Sequence, residues 1–218
     1  MYYVVPDIHG QADKLDGLLA RLGWRHGAAG WRAPEPERKI VFLGDFIDRG
    51  PENARVLRRV RSLIDAGKAL AVMGNHEFNA ILFHTRDTRT GTPFRSHSPK
   101  NLEQHASFLS EFSVGAPETA EVIGWMMSLP LYLEVTGMRA VHACWHTPVI
   151  ARLRSALVQD RLSDEILQRC GWQQGRLYDD LQVVTSGIEE PLPPGVSFRD
   201  KDGHERTDVR IGWWLEET

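Results

Sequence analysis

Asp7-Ile8-His9-Gly10, Gly44-Asp45-Phe46-Ile47-Asp48-Arg49-Gly50 and Gly74-Asn75-His76-Glu77 gather, in three short strings, side chains suited to holding two metal ions and a phosphoryl group. Asp7 and His9 stand two apart, so at a strand end they point to one side and converge on one cation. Asp45 has two carboxylate oxygens and can bridge two cations, Asn75 adds a neutral amide oxygen, and His142 adds a further imidazole. Mixed oxygen and nitrogen donors suit divalent ions such as manganese, iron or zinc. Two such ions, roughly 3.5–4 Å apart, clamp a phosphoryl group and acidify a bridging water that attacks phosphorus in line. Arg49 offers a planar fork to phosphate oxygens. His76, beside Asn75, stands where it could protonate the leaving oxygen. Asp48 could orient His76 and keep it protonated.

Each string follows a short apolar run: Tyr2 to Val5, Lys39 to Leu43, and Ala69 to Met73. Such runs, closed by Gly or Pro, read as buried strands, and the carboxyl edge of an open α/β sheet is where ligands bind. Between them, Leu15, Leu18, Leu19 and Leu22 form one face of a helix ended by Gly23. Pro51 opens a second helix, with Val56, Leu57, Val60, Leu63 and Ile64 as its apolar face and Gly67 as its stop. Strand alternating with helix implies parallel pairing and right-handed crossovers. The stretch from Trp24 to Glu37 reads as a loop, and His84 to Asn101 as an exposed insertion or loop. Helices are expected at Leu102 to Phe112, Glu118 to Ser128 and Ser163 to Cys170. Strands are expected at Leu131 to Val135, at Met138 to His142 after the Gly137 turn, and at Gln182 to Ser186. The reading is of one domain over residues 1–218, with residues 84–128 as an insertion or cap.

The composition, 42% hydrophobic and 25% charged over 218 residues, is that of a globular domain with a sizeable core. A net charge of −3 gives no basic surplus for nucleic acid or an anionic membrane. No apolar run approaches a membrane span, and with no basic stretch and apolar run ahead of Tyr2 no signal peptide is expected. Cys144 and Cys170 are too few for a disulfide framework, so a reducing cytoplasm is expected.

The three strings resemble the PPP-type metallophosphatases of the calcineurin-like superfamily, which include bacterial Ser/Thr protein phosphatases and diadenosine tetraphosphatases. The family patterns Asp-x-His-Gly, Gly-Asp-x-x-Asp-Arg-Gly and Gly-Asn-His-Glu are all intact within the first 80 residues. The resemblance implies an α/β four-layer sandwich of two packed mixed β-sheets flanked by helices. It implies Asp7, His9 and Asp45 on one metal, and Asp45, Asn75 and His142 on the other. It assigns Asp48 and His76 as the acid pair, with Arg49 and Asn75 toward phosphate. Two divalent ions are expected, manganese foremost, with iron, zinc or nickel as alternatives. Val141-His142-Ala143-Cys144 resembles the next family block, with Cys144 and Trp145 where members carry glycines. The family's last metal histidine follows Gly after an apolar strand. Gly203-His204 here follows turn residues, so the missing ligand is expected beyond residue 218.

The resemblance implies hydrolysis of phosphate monoesters, of a phosphoprotein or a small molecule. A first rival is a dinucleoside polyphosphate hydrolase with the same metal core. A second is a non-catalytic metal- and phosphate-binding module, favoured by the missing histidine and opposed by intact Asp48, Arg49 and His76. A carboxylate-nucleophile phosphatase is disfavoured, because no Asp-x-Asp follows the first strand. Plainer readings stand beside each residue. Asp7 could be a capping Asp, His9 or His142 a core histidine, and His146 or His204 a surface residue. Arg55, Arg58, Arg59 and Arg61 read as a solvated helix face rather than a nucleic-acid patch. Arg176 is a loose candidate for a second phosphate arginine.

Overall fold

The computed structural model describes residues 1–27, 30–170, 175–199, 203 and 205–213. Its first half is built on strand β1 (Tyr2–Val5), helix α1 (Ala12–Arg21), a small hairpin β2 (Arg25–Gly27) and β3 (Gly30–Arg32), strand β4 (Lys39–Phe42), helix α2 (Asn53–Asp65) and strand β5 (Ala69–Ala71). β4 lies between β1 and β5 and pairs parallel with both, Val4 opposite Val41 and Val41 opposite Leu70. Ile40, Val41 and Phe42 are fully buried, as a strand covered on both faces requires. Leu15 and Leu19 of α1, and Val56, Val60 and Leu63 of α2, are buried in the same core. The arginine face of α2 is tied down: Arg55 bonds Asp13, Asp16 and Glu52, Arg59 bonds Asp16, and Arg61 bonds Glu121.

The chain continues with α3 (Asn75–His84), α4 (Pro99–Gln104), α5 (Ala106–Glu111), α6 (Pro117–Met127), the antiparallel hairpin β6 (Tyr132–Val135) and β7 (Met138–Val141), α7 (Thr147–Ala156), α8 (Asp164–Cys170) and α9 (Arg176–Ser186). Short strands close it: β8 (Glu189–Pro191) pairs with β11 (Asp208–Arg210), and β9 (Phe198–Arg199) with β10 (Glu205–Arg206). The α/β class holds, with one parallel sheet and separate antiparallel hairpins, flanked by helices. Cys144 and Cys170 are free and buried, and among the described residues no helix is long and apolar enough to cross a membrane.

The sequence expectations need correcting in several places. The segment from Trp24 to Glu37 contains the β2–β3 hairpin, whose residues show no alternation of apolar and polar. α2 starts at Asn53 with Glu52 at its cap, so Pro51 lies just ahead of the helix. The helix expected over Leu102 to Phe112 is two helices that meet at His105. Gln182 to Ser186 is not a strand but the last part of α9. Its β-branched run Val183-Val184-Thr185 suggested a strand, yet Leu181, Val184 and Thr185 are buried along one helical face. α7 had no apolar periodicity strong enough to announce it, and is capped by His146, whose Nδ1 accepts from the Val149 amide at 3.4 Å. The stretch from His84 to Asn101 is less exposed than its composition suggests, since Asp87 and Phe94 are buried.

Candidate metal and phosphate site

The three strings do sit at strand ends. Asp7 and His9 follow β1, Asp45 to Gly50 follow β4, and Asn75 and His76 open α3 just after β5. Parallel pairing of β1, β4 and β5 therefore brings them to one edge. The loops interlock through backbone. The amides of Ile8 and His9 both donate to the Asp45 carbonyl, at 3.0 and 2.9 Å. Glu77 joins the second string to the third: its carboxylate accepts from the amides of Asp45, Phe46 and Gly74 at 2.8, 2.8 and 3.0 Å. Burial, and then the Asp45 carboxylate, push the Glu77 carboxyl up to about 7. The approach is too close for side chains. A Cβ on Gly74 would lie 2.3 Å from Asp45 Oδ1, and one on Gly10 would lie 2.5 Å from the Gly50 carbonyl oxygen. Four non-glycine residues here hold left-handed backbone: His9 at φ +47°, Asp45 at +53°, Asp48 at +69° and Arg49 at +66°. Such conformations cost about 1–3 kcal/mol each and concentrate at functional sites.

Asp45 is the hub. Its Oδ1 accepts from the His76 amide at 3.0 Å, while its Oδ2 lies 3.7 Å from His9 Nε2 and 3.6 Å from His142 Nε2. Asp7 Oδ2 is 3.7 Å from His9 Nε2, and Asn75 Oδ1 is 3.1 Å from His142 Nε2. Two sets of potential ligand atoms therefore cluster within 4.8 Å, one from His9, Asp45 and His76 and the other from Asp7, Asp45 and His142.

These donors fit divalent cations on a direct observation. His9 gives its Nδ1–H to the Ile47 carbonyl at 3.0 Å, and His142 gives its own to the Leu43 carbonyl at 2.6 Å. Each ring then turns an Nε2 lone pair toward carboxylate or amide oxygens. His9 Nε2 is buried and finds no hydrogen-bond partner among the described residues. Burial also lowers the His9 imidazole below its ordinary value, so protonation does not relieve the mismatch. Lone pairs facing acceptors, with the second ring nitrogen anchored on a backbone carbonyl, are the arrangement of metal-ligating histidines.

His76 and Asp48, expected from the resemblance to form an acid pair, are in contact. His76 Nδ1 lies 2.7 Å from Asp48 Oδ2, and its Nε2 is 4.0 Å from Asp45 Oδ2. Burial alone would lower the His76 imidazole, yet the Asp48 hydrogen bond and the Asp45 carboxylate outweigh it and raise it. Burial would raise the Asp48 carboxyl, but hydrogen bonds from His105 and His76 hold it below the usual carboxylate range. His105 and Glu77 had no assigned role in the sequence reading. Glu77 stands three residues after the Gly74 cap, the spacing of a capping box. Nothing around His105 marked it.

A cavity of about 730 Å³ opens over this cluster, lined in part by Asp7, Asp45, Asp48, Arg49, Asn75, His76 and His142. Arg95, Gln104, Ser107, Arg206 and Arg210 line the rest. A cleft of about 820 Å³ beside the β2–β3 hairpin is lined by Arg25, His26, Trp31, Arg32 and Lys68 and brings no acidic ligand. Arg176 opens α9 and is not in the lining of the site cavity. His146 serves as the α7 cap, and His204 lies outside the described residues.

A family profile described as calcineurin-like phosphoesterase matches residues 2–171. The symmetrical bis(5'-nucleosyl)-tetraphosphatase of Hamiltonella defensa subsp. Acyrthosiphon pisum (strain 5AT) is 32% identical over 131 residues, 59% of this chain and 38% of that protein. The protein of the same name from Janthinobacterium sp. (strain Marseille) is 28% identical over 187 residues, 82% of this chain and 58% of its own length. The chain thus spans between 38% and 58% of these two relatives. Among solved structures, the cold-active protein-tyrosine phosphatase of a psychrophilic Shewanella species matches with a TM-score of 0.43 and 21% identity, over 78% of this chain and 50% of that one.

Proposed function

The chain belongs to the calcineurin-like phosphoesterases, and from that premise we propose that it is a hydrolase of phosphate anhydrides in dinucleoside polyphosphates, working with two divalent cations. The observation that carries the metal part is the buried, unpartnered His9 Nε2 aimed at Asp7 and Asp45. Asp7, His9 and Asp45 would hold one cation; Asp45, Asn75 and His142 would hold the other. Manganese is the first metal to test, because hard oxygen donors predominate in the set. Such cations supply Lewis acidity at the phosphoryl group and make water a better nucleophile near neutral pH.

The residues of the chain do the rest. Arg49, at the cavity wall, grips phosphate oxygens with its fork, and Asn75 adds an amide to the same end. His76, its Nδ1–H on Asp48, points Nε2 into the cavity and gives its proton to the departing oxygen. Water adds to one phosphorus, the P–O–P bridge breaks, and each half leaves as a nucleoside phosphate. The substrate class is favoured by the second wall. Arg95, Arg206 and Arg210 join Arg49 around one cavity, and the Arg210 guanidinium also pairs with Glu189 at 3.7 Å. Two relatives bearing the tetraphosphatase name point the same way. The second reading, a phosphomonoesterase, uses the same metals and His76.

The test is a panel on protein stripped by exhaustive chelation and reloaded with manganese. A dinucleoside tetraphosphate, dinitrophenyl phosphate and a phosphopeptide are compared. Turnover should vanish on stripping, return with manganese, and show its highest kcat/KM on the tetraphosphate. Activity surviving chelation would defeat the metal reading, and a preference for the phosphopeptide would defeat the substrate reading.

A further inference from the structure

The Asp48 carboxylate is shared between two imidazoles. Its Oδ2 takes the hydrogen bond from His76 at 2.7 Å, and its Oδ1 takes one from Nδ1 of His105 at 2.8 Å. An ionised carboxylate only accepts, so both rings donate. His105 lies at the junction of α4 and α5, only 2% exposed. Its ring stacks on Phe108, with centroids 4.6 Å apart and planes 17° apart, and Phe83 closes on it at 5.1 Å. Its other nitrogen, Nε2, meets Nε2 of His84 at 3.2 Å. One ring must donate across that contact. Whichever does, His105 keeps Nδ1–H on Asp48, because a flipped ring would set a C–H against a buried carboxylate.

The arrangement restrains the one torsion that matters. The terminal torsion of an Asp side chain is broad. With one partner on one oxygen, the carboxylate plane of Asp48 could swing and take the His76 ring with it. Hydrogen bonds on both oxygens set that plane. The backbone below is fixed as well, by the Asp48 amide bond to Asn53 Oδ1 at 2.7 Å. Glu111, at the end of α5, accepts from the Asn53 and Ala54 amides at 2.6 and 3.1 Å and locks α5, directly after His105, against α2.

We propose that His105 is a positioning residue of the hydrolysis: through Asp48 it aims His76, and His84 with Phe108 holds His105 in register. The inference rests on the reading of His76 as the proton donor. A merely structural histidine would fill the same space, so the test must read the proton-transfer step. His105→Phe keeps the stack on Phe108 and removes both nitrogens, whereas His105→Asn keeps a donor near the Nδ1 position. Each is assayed in the full chain with manganese, on dinitrophenyl phosphate and on phenyl phosphate, whose leaving oxygen is far more basic.

Partners that orient metal-ligating side chains are typically worth about 10–100-fold, and a partner that orients the proton donor is expected to act on the same scale. His105→Phe should therefore lower kcat on phenyl phosphate by about that factor, with much less loss on the dinitrophenyl ester and no change in KM. His105→Asn should recover most of the loss, and His105→Phe should cost little more in an Asp48→Asn background. Equal loss on both esters, unchanged turnover, or losses that add to those of Asp48→Asn would overturn the proposal. If His105→Phe does not fold, His84→Leu carries the same two-ester comparison. His76→Asn run alongside separates the two readings. If His76→Asn shows no leaving-group dependence, the His76 assignment has failed; if it does and His105→Phe does not, only the role of His105 has failed.

Discussion

The strand-end loops through Asn75 and the segment from His84 to Glu111 build two walls of one cavity by different means. The first wall is made of backbone under strain. Three loops touch without room for side chains, four residues hold left-handed φ, and a single buried carboxylate, Glu77, gathers amides from two of them. The second wall is made of side chains delivered by packing. Arg95, Gln104 and Ser107 line the cavity, and His105 reaches Asp48 across 57 positions of sequence. A metal site needs several ligand atoms held to a few tenths of an ångström, and rigid strand ends supply that. A phosphate chain or an acid pair needs charges at the right distance, and helices docked from elsewhere can bring them.

The comparison breaks most sharply at Asp45. Asp45→Asn removes the charge that both ligand sets share, and turnover should fall on the order of 10³-fold or more. Calorimetric metal titration should show the number of bound ions falling; two ions bound as tightly as in the parent would remove Asp45 from the bridge. Next comes His76→Asn, expected to lower turnover about 10²–10⁴-fold on esters with basic leaving groups. Asp48→Asn acts at the same step, so steady-state kinetics of the double variant should be far from additive.

Arg95→Ala probes the second wall alone. Loss of a charge-assisted hydrogen bond should raise KM for a dinucleoside tetraphosphate about 10–100-fold. KM for an aryl phosphate should hardly move, and an equal rise for both would make Arg95 a general rather than a substrate-selective contact.

The smallest effect concerns pH. Burial, then the nearness of His105 and His97, lowers the His84 imidazole from 6.5 to about 4. The unfolded chain therefore takes up the proton first, and the stability contributed by neutral His84 is present above its unfolded pKa and lost as pH falls toward the folded one. His84→Gln should flatten part of that loss, read as urea midpoints at about pH 7 and about pH 4.5. A loss as steep as the parent's would show that other groups carry it.

Legibility followed the same division. The clustering of Asp, His and Asn side chains was readable because each string occupies consecutive positions behind an apolar run. Glu77 was readable too, from its spacing to Gly74, although its role stayed hidden until its three amide partners were seen. His105 was not, since Glu103-Gln104-His105-Ala106 carries no local signal and its partners lie in α3 and in the loop after β4. Arg95 sat in a stretch read as an exposed loop, and Val183 to Thr185 suggested a strand because β-branched residues favour one.

By itself the sequence determined the parallel strand–loop–helix frame and which Asp, His and Asn side chains gather at its edge, because strand periodicity and two-residue spacing act over a few bonds. Only the tertiary structure decided the second wall, the break at His105 and the helical fate of residues 182–186. Those depend on burial and hydrogen bonds between segments far apart in the chain, where the energy of packing outweighs the weaker preferences of each residue for its own backbone shape.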